Sequence, residues 1–380
     1  MAPRNGRLVF IDNLRWSAIS MVVVIHAAVT YSPFGSWYFR DGANTGRTAA
    51  IGFGTYQTFQ HAVAMGLLFG IAGYFSRASL TRKTPGAYMK ERLWRLGMPL
   101  LLYMFVVGPL TEFFVAQNWG PYPPGRFGPL WWRHLLSGEI FSGSGPLWFC
   151  LVLLVFSACY AALWALRPPA GPARPGRVPG IATVLGFIGA MAVLTFLVKL
   201  VTPGGTFLNV ELHDFPQYPL MFAAGAVAQR DDWPAHLPAR TGRWWGIAGL
   251  VLGMLAWVLL IGLGGALEGK LYLYGGGWHW QTAGIDVWRS FTCIALTLGL
   301  ITLYRDRFNG ENAVSRFLTR NAFGVYVFHP PILIAVTRAL QYWPADVAVK
   351  FLVASVLAVT ATFLFVGFVA RRTPWVRAII

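Results

Sequence analysis

The residues best placed to do chemistry lie in an apolar run near the start of the chain. It opens Ile11-Asp12-Asn13-Leu14-Arg15 and reaches Val24-Ile25-His26. Ionisable side chains inside such a run are costly and mark a candidate site. Asp12 and Arg15 are three residues apart, so a helix puts them on one face. Arg15 and His26 are eleven apart, which on a helix is three turns plus about 20° and a rise of about 16 Å. One stripe therefore carries an acid, a guanidinium and, deeper in the run, an imidazole. A neutral imidazole suits general-base work on a hydroxyl, because it changes charge near operating pH. The competing reading is that Arg15 snorkels and pairs with Asp12 while His26 is a hydrogen-bonded core residue. The alignment of the three on so apolar a helix favours function.

A second candidate is the basic segment 76–95, which holds Arg77, Arg82, Lys83, Lys90, Arg92 and Arg95. Its plainest role is to anchor a membrane protein on the cytoplasmic side. Arg92 and Arg95, three apart on what reads as a helix, would also make a guanidinium fork suited to phosphates. A polyphosphorylated cytoplasmic ligand such as coenzyme A fits that charge. Glu112, Asp286, Arg289 and Arg338 are further charges in or at apolar runs. Asp286 and Arg289 have the i,i+3 spacing of a pair, and Glu211, His213 and Asp214 sit where an acceptor could dock; for all of these a structural role is the favoured reading.

The elements that must position these groups are membrane helices. The chain has 380 residues, 56% hydrophobic and only 12% charged, about half the charge of a soluble protein. Ten apolar runs are long enough to span a bilayer: 10–32, 53–75, 96–115, 146–166, 180–201, 215–229, 244–266, 285–304, 321–341 and 347–369. The sixth is short, and Pro216 and Pro219 blur its start. The expected fold is all-α, a polytopic bundle forming one membrane domain over 1–380 with no appended soluble domain. Lysine and arginine concentrate in the N-terminus, 76–95, 167–179, 230–243, 305–320 and the C-terminus, which places both termini in the cytoplasm. The net charge of +17 thus follows membrane topology, and with no basic stripe on a soluble face nucleic acid is not an expected partner. The N-terminal run with Arg4 and Arg7 before it has the layout of a signal peptide, but Asp12 and Arg15 interrupt it, which favours a retained helix. The stretch Arg167–Pro172 reads as a Pro/Gly linker. Cys150, Cys159 and Cys293 lack metal-site or disulfide spacing and read as small fillers. The loops 33–51, 116–145 and 267–284 are rich in Trp, Tyr and Gly. Those aromatics are first of all interface anchors, with stacking on a sugar ring as the alternative.

Four patches resemble the acyltransferase family 3 membrane enzymes, which include sugar and glucan O-acyltransferases. They are Asp12-x-x-Arg15 followed by His26; Phe69-x-x-x-Gly73-Tyr74-Phe75; Arg92-x-x-Arg95; and Asn321-Ala-Phe-Gly-Val-Tyr326-Val-Phe-His329-Pro330. A looser likeness runs through Pro146-Leu147-Trp148-Phe149 and Phe215–Gly225. The spacing Gly73-Tyr-Phe-Ser76 with Arg92–Pro99 is most similar to the glucan biosynthesis protein C branch. The resemblance implies a multi-pass enzyme of the inner membrane that moves an acetyl or succinyl group from cytoplasmic acyl-CoA to a hydroxyl of an extracytoplasmic or lipid-linked carbohydrate-type acceptor. It assigns His26 as base, with Arg15 and Asp12 beside it in the catalytic set. Arg92 and Arg95, with Arg82 and Lys83, would hold the donor, and Tyr326, His329 and Trp148 would support the site. Pro330-Pro331 frees backbone carbonyls and marks a break beside a cavity. Acyl-CoA is a co-substrate; no permanently bound cofactor is implied, and the histidines lack the spacing and companion cysteines of a metal site. The rival classes are a secondary transporter exporting a small metabolite or sugar-lipid, and a membrane sensor or scaffold.

Overall fold

The computed structural model describes residues 8–42, 45–119, 127–138, 143–167, 176–202, 206–207 and 210–380. Arg4, Arg7 and most of the Arg167–Pro172 linker lie outside the described residues. The helices are α1 (Val9–Tyr31), α2 (Arg47–Leu80), α3 (Pro85–Arg92), α4 (Met98–Leu102), α5 (Gly108–Trp119), α6 (Phe127–Ser137), α7 (Trp148–Leu166), α8 (Ile181–Val201), α9 (Gln217–Asp231), α10 (Trp233–His236), α11 (Ala239–Leu263), α12 (Trp280–Arg307), α13 (Ala313–Ala339), α14 (Val347–Phe368) and α15 (Pro374–Ile379). Two two-residue strands, β1 (Thr206–Phe207) and β2 (Val210–Glu211), pair antiparallel before α9. The chain is thus an all-α polytopic protein. Among the described residues nine helical segments are long and apolar enough to cross a membrane. The expected sixth span is α9, whose 15 residues reach only about 22 Å against a hydrocarbon core of about 30 Å.

Several helices outrun their apolar runs, because charged ends can stay helical at the membrane surface. α2 has 34 residues and takes in the start of the basic segment. α13 begins at Ala313 because Asn312 caps it: its side chain accepts from the Ser315 amide, and the Ser315 hydroxyl accepts from the Asn312 amide, the reciprocal bonds that satisfy two orphan donors. Between α3 and α5 the backbone relaxes into π-helical turns at Leu93–Gly97 and Tyr103–Val107, which re-aim side chains within an otherwise continuous helix.

The chain folds into two units. One draws on the chain through Arg15, on His61–Tyr88 and on Phe156–Glu311; the other on Trp16–Gln60, Met89–Val155 and Asn312–Ile380. In the first, α2 and α9 meet through glycine. A Cβ at Gly73 would strike the Phe222 carbonyl, and one at Gly225 would strike the Gly70 carbonyl. Phe69 stacks on Tyr218 at 4.9 Å beside this contact. Two patches of the sequence resemblance, Phe69–Phe75 and Phe215–Gly225, are therefore the two sides of one small-residue contact, the way apolar helices approach closely where no hydrophobic force drives them together. In the second unit Ala28, Tyr31, Phe53 and Ala354 form a buried cluster flanked by Tyr56 and Phe351, which packs the end of α1 against α2 and α14.

Replacing Gly73 with Ala should push α2 and α9 apart and cost about 1–3 kcal/mol, the range for overpacking a tight contact. The check is a lowered melting temperature in detergent; an unchanged one would mean that the two backbones are not in contact.

Candidate active site

The second unit brings together two histidines that are 303 positions apart. His329 Nε2 lies 3.1 Å from His26 Nδ1, with the rings nearly parallel and 5.1 Å between centroids. His329 is fully buried and His26 half-buried. The other nitrogen of His329, Nδ1, is 2.8 Å from the Tyr326 carbonyl.

That carbonyl is available for a sequence reason. In a helix it would accept from the amide four residues on, and that residue is Pro330, which has no N–H. His329 supplies the missing donor. A carbonyl only accepts, so the His329 proton sits on Nδ1 and its Nε2 presents a lone pair to His26. In the neutral pair His26 must then donate from Nδ1, which leaves its basic lone pair on Nε2. The chain Tyr326 C=O, His329, His26 thus fixes both tautomers and prepares His26 Nε2 to take a proton. A carboxylate beside the histidine of a hydrolase triad fixes a tautomer in the same way; here a backbone carbonyl and a second imidazole do so.

The surroundings hold the pair still. The Tyr326 hydroxyl donates to the Pro146 carbonyl and Phe149 meets the Tyr326 ring edge-on at 6.2 Å. Trp148 opens α7 between these two residues. Gly145 takes φ +47, and a Cβ there would come within 2.7 Å of both Tyr103 and the Tyr38 hydroxyl. Those two tyrosines share a hydroxyl–hydroxyl hydrogen bond of 2.9 Å, with Tyr103 at the start of the second π-helical turn. Burial, opposed by the Tyr103 hydrogen bond, pushes the Tyr38 phenol up to about 12, so it stays neutral wherever an imidazole titrates. Trp37 stacks on His26 with centroids 4.1 Å apart and 19° between planes.

The loop that carries Trp37 and Tyr38 follows α1 and is tied down repeatedly. The Asp41 amide donates to Thr30 O at 2.7 Å, Arg40 to Ser32 O at 2.9 Å and Thr45 to Tyr31 O at 2.8 Å. Lys350 pairs with Asp41 at 3.1 Å and donates to Gln341 O at 2.8 Å. Arg338 lies 5.5 Å over the Phe39 ring.

The remaining candidates fall in different places. Arg15 pairs with Asp12 at 3.1 Å in the first unit, as the structural reading of that spacing expects, and both stand on the same helix as His26. Arg82 and Lys83 are exposed in the first unit, with Arg82 Nε donating to Ala78 O at 3.0 Å. Arg92 and Arg95 belong to the second. The helix passes into its π-helical turn between them. Arg95 is exposed and 3.7 Å from Glu91, a surface pair worth about 0.3–0.5 kcal/mol, too weak to hold it from a phosphate.

The expected pairing of Asp286 with Arg289 is replaced by two others. Asp286 binds Lys199, both fully buried, and Arg289 binds Asp214, which also lies 3.6 Å from His61 Nδ1. In the apolar interior each charge takes the partner that reaches it from another helix or loop, and i,i+3 neighbours on one helix lose that competition. The side chains of Glu211 and His213 lie outside the described residues.

Pro330→Ala would return a backbone donor to the Tyr326 carbonyl in competition with His329. The melting temperature should hold or rise, since a proline leaves a helix interior, while turnover that depends on His26 falls about tenfold, part of what a positioned base contributes. Unchanged turnover would mean that the Tyr326 carbonyl does not set the imidazole pair.

The chain was compared with protein families, curated proteins and solved structures. A model of the acyltransferase 3 family, described as an acyltransferase domain, matches residues 8–370. No curated protein and no solved structure gives a significant match. That match takes in α1 through α14 and every candidate residue named above, and an imidazole prepared for a hydroxyl proton is a fitting centre for such a domain. The chain therefore belongs to acyltransferase family 3 and is a multi-pass membrane acyltransferase that transfers groups other than aminoacyl groups.

Proposed function

We propose that the protein is a membrane O-acyltransferase that takes an acetyl or succinyl group from cytoplasmic acyl-CoA and places it on a hydroxyl of an extracytoplasmic, carbohydrate-type or lipid-linked acceptor. The observation that carries this reading is the His26–His329 contact, 3.1 Å between nitrogens, with the tautomers ordered so that His26 Nε2 is the base. The hydroxyl proton goes to His26 Nε2 as its oxygen attacks the thioester carbonyl. The new C–O bond forms, the C–S bond breaks, and the proton passes to the departing coenzyme A thiolate. His329 positions His26 and stabilises the imidazolium.

Donor binding falls to the basic segment. Arg92 and Arg95, preceded by Arg82 and Lys83, bring guanidinium and ammonium groups to the side where the positive-inside rule places the cytoplasm. Arg82, Lys83 and Arg95 are exposed and Arg92 is partly exposed, which leaves them accessible to the phosphates of coenzyme A. Arg15, paired with Asp12 on the helix that carries His26, would help bind or polarise the donor. With α9 counted as a tenth crossing, both termini lie in the cytoplasm, and the multi-pass architecture fits an inner membrane. Within the family, the spacing of Gly73–Ser76 and Arg92–Pro99 resembles the glucan biosynthesis protein C branch. The whole chain is read as one catalytic membrane domain. The transporter reading gains no support from a base held in a fixed tautomer.

The test is binding and turnover of radiolabelled acetyl-CoA and succinyl-CoA by detergent-purified protein. His26→Ala should keep donor binding and lose turnover by at least about 100-fold, the lower end of a positioned base's contribution. The Arg92→Ala/Arg95→Ala double variant should lose donor binding. Turnover should fall on acidification, because a protonated imidazole cannot accept the hydroxyl proton. A well-folded wild-type protein with no saturable acyl-CoA binding would overturn the donor assignment, and full turnover in His26→Ala would overturn the base.

A further inference from the structure

We propose that Trp37 is a catalytic residue whose indole N–H holds the carbonyl oxygen of the acyl group, and the oxyanion it becomes, beside His26. This rests on the reading of His26 as the base for acyl transfer from a thioester.

An indole N–H donates and never accepts. Trp37 Nε1 is buried and has no hydrogen-bond partner among the described residues. A buried donor left in that state costs about 1–3 kcal/mol and is rare in folded proteins. The ring has little freedom to find an acceptor of its own. It stacks on His26 at 4.1 Å, lies nearly parallel to His329 with 12° between planes, and meets the edge of Tyr38 at 5.1 Å. The residues around it are fastened by the Asp41–Lys350 pair and by the bonds of Arg40, Asp41 and Thr45 to the end of α1. The acceptor must therefore come to the indole, and the chemistry one ring away says which acceptor that is.

When a hydroxyl oxygen gives its proton to His26 and attacks a thioester, two electrons move onto the carbonyl oxygen. That oxyanion needs a donor already in place. The Tyr326 hydroxyl donates to Pro146 O, and Tyr38 and Tyr103 share one hydrogen bond, which commits one of their two hydroxyl protons. The Trp37 N–H has no partner among the described residues and belongs to the ring stacked on His26. As the tetrahedral intermediate collapses, the electron pair returns to the C=O bond, the C–S bond breaks and the indole releases the product carbonyl. The proton count is unchanged by Trp37, which donates a hydrogen bond and not a proton.

Two substitutions separate the N–H from the ring. Trp37→Phe keeps an aromatic face on His26, and replacing Trp37 with 3-benzothienylalanine keeps the ring's size and shape with sulfur in place of N–H. In acyl-CoA-dependent transfer by the purified full chain, both should lose kcat about 100-fold, the size of one lost oxyanion donor. KM for the donor and the melting temperature should stay near wild type. Wild-type kcat in the benzothienyl protein overturns the proposal and reduces Trp37 to a stacking partner. A kcat loss accompanied by an equal loss of donor affinity, or by a lowered melting temperature, overturns it as well. Absence of transfer in the wild-type protein would instead sink the acyl-CoA reading on which the proposal stands.

Discussion

The Tyr326 carbonyl accepts from an imidazole because the residue four places on has no amide hydrogen. In an apolar interior a carbonyl left without a donor is costly, and water cannot be relied on to repair it. His329, one residue before the proline, closes the gap with Nδ1 at 2.8 Å. From that bond follow the tautomer of His329, the direction of the bond to His26 and the identity of the nitrogen left basic. Tyr326 serves at both ends, its carbonyl ordering the imidazoles and its hydroxyl fastening α13 to the turn before α7 through Pro146. A histidine followed by proline in a buried helix is thus a compact device for fixing the tautomers of an imidazole pair without a buried carboxylate, whose desolvation would cost several kcal/mol.

The same economy governs the other polar groups. In the first unit the buried charges are matched in pairs, Lys199 with Asp286 and Arg289 with Asp214. Such pairs add little net stability, while losing one partner strands the other at a cost of about 3–5 kcal/mol. They explain why so apolar a chain tolerates intramembrane charge. In the second unit the loop after α1 is bound through backbone carbonyls and through Lys350, which is buried on α14. That rigidity is what holds the Trp37 ring stacked on His26.

Much of this was legible in the sequence, for identifiable reasons. Apolar length and the distribution of lysine and arginine give the helices, and Asp12, Arg15 and His26 announce themselves by being ionisable in an apolar run. The motif around Tyr326, His329 and Pro330 could be named, and so could the carbonyls that the prolines free, but the break expected there does not form: α13 runs on through Pro330 and Pro331, because His329 satisfies the Tyr326 carbonyl from its side chain. What the chain could not reveal is contact across hundreds of residues. His26 and His329 read as separate candidates because nothing in spacing along the chain says that their rings touch. Asp286 and Arg289 looked like a pair because local spacing is all a sequence offers; Lys199, near the end of an apolar run, carries no mark that distinguishes it from a snorkelling residue. Trp37 was hidden in a loop whose aromatics all suit the membrane interface, and only its stacking on His26 and its unpartnered N–H set it apart. Gly73 and Gly225 belonged to recognisable motifs, but their reason, two backbones in contact, needed both helices in view.

The most direct test of the central claim is nitrogen-15 NMR of the protein labelled at histidine. Its seven histidines can be assigned by single-site variants, and each ring nitrogen reports whether it carries a proton. Under conditions where both imidazoles are neutral, the account predicts that His329 and His26 are both protonated at Nδ1 and bare at Nε2. A His26 ring carrying its proton on Nε2, or a His329 ring bare at Nδ1, would contradict it.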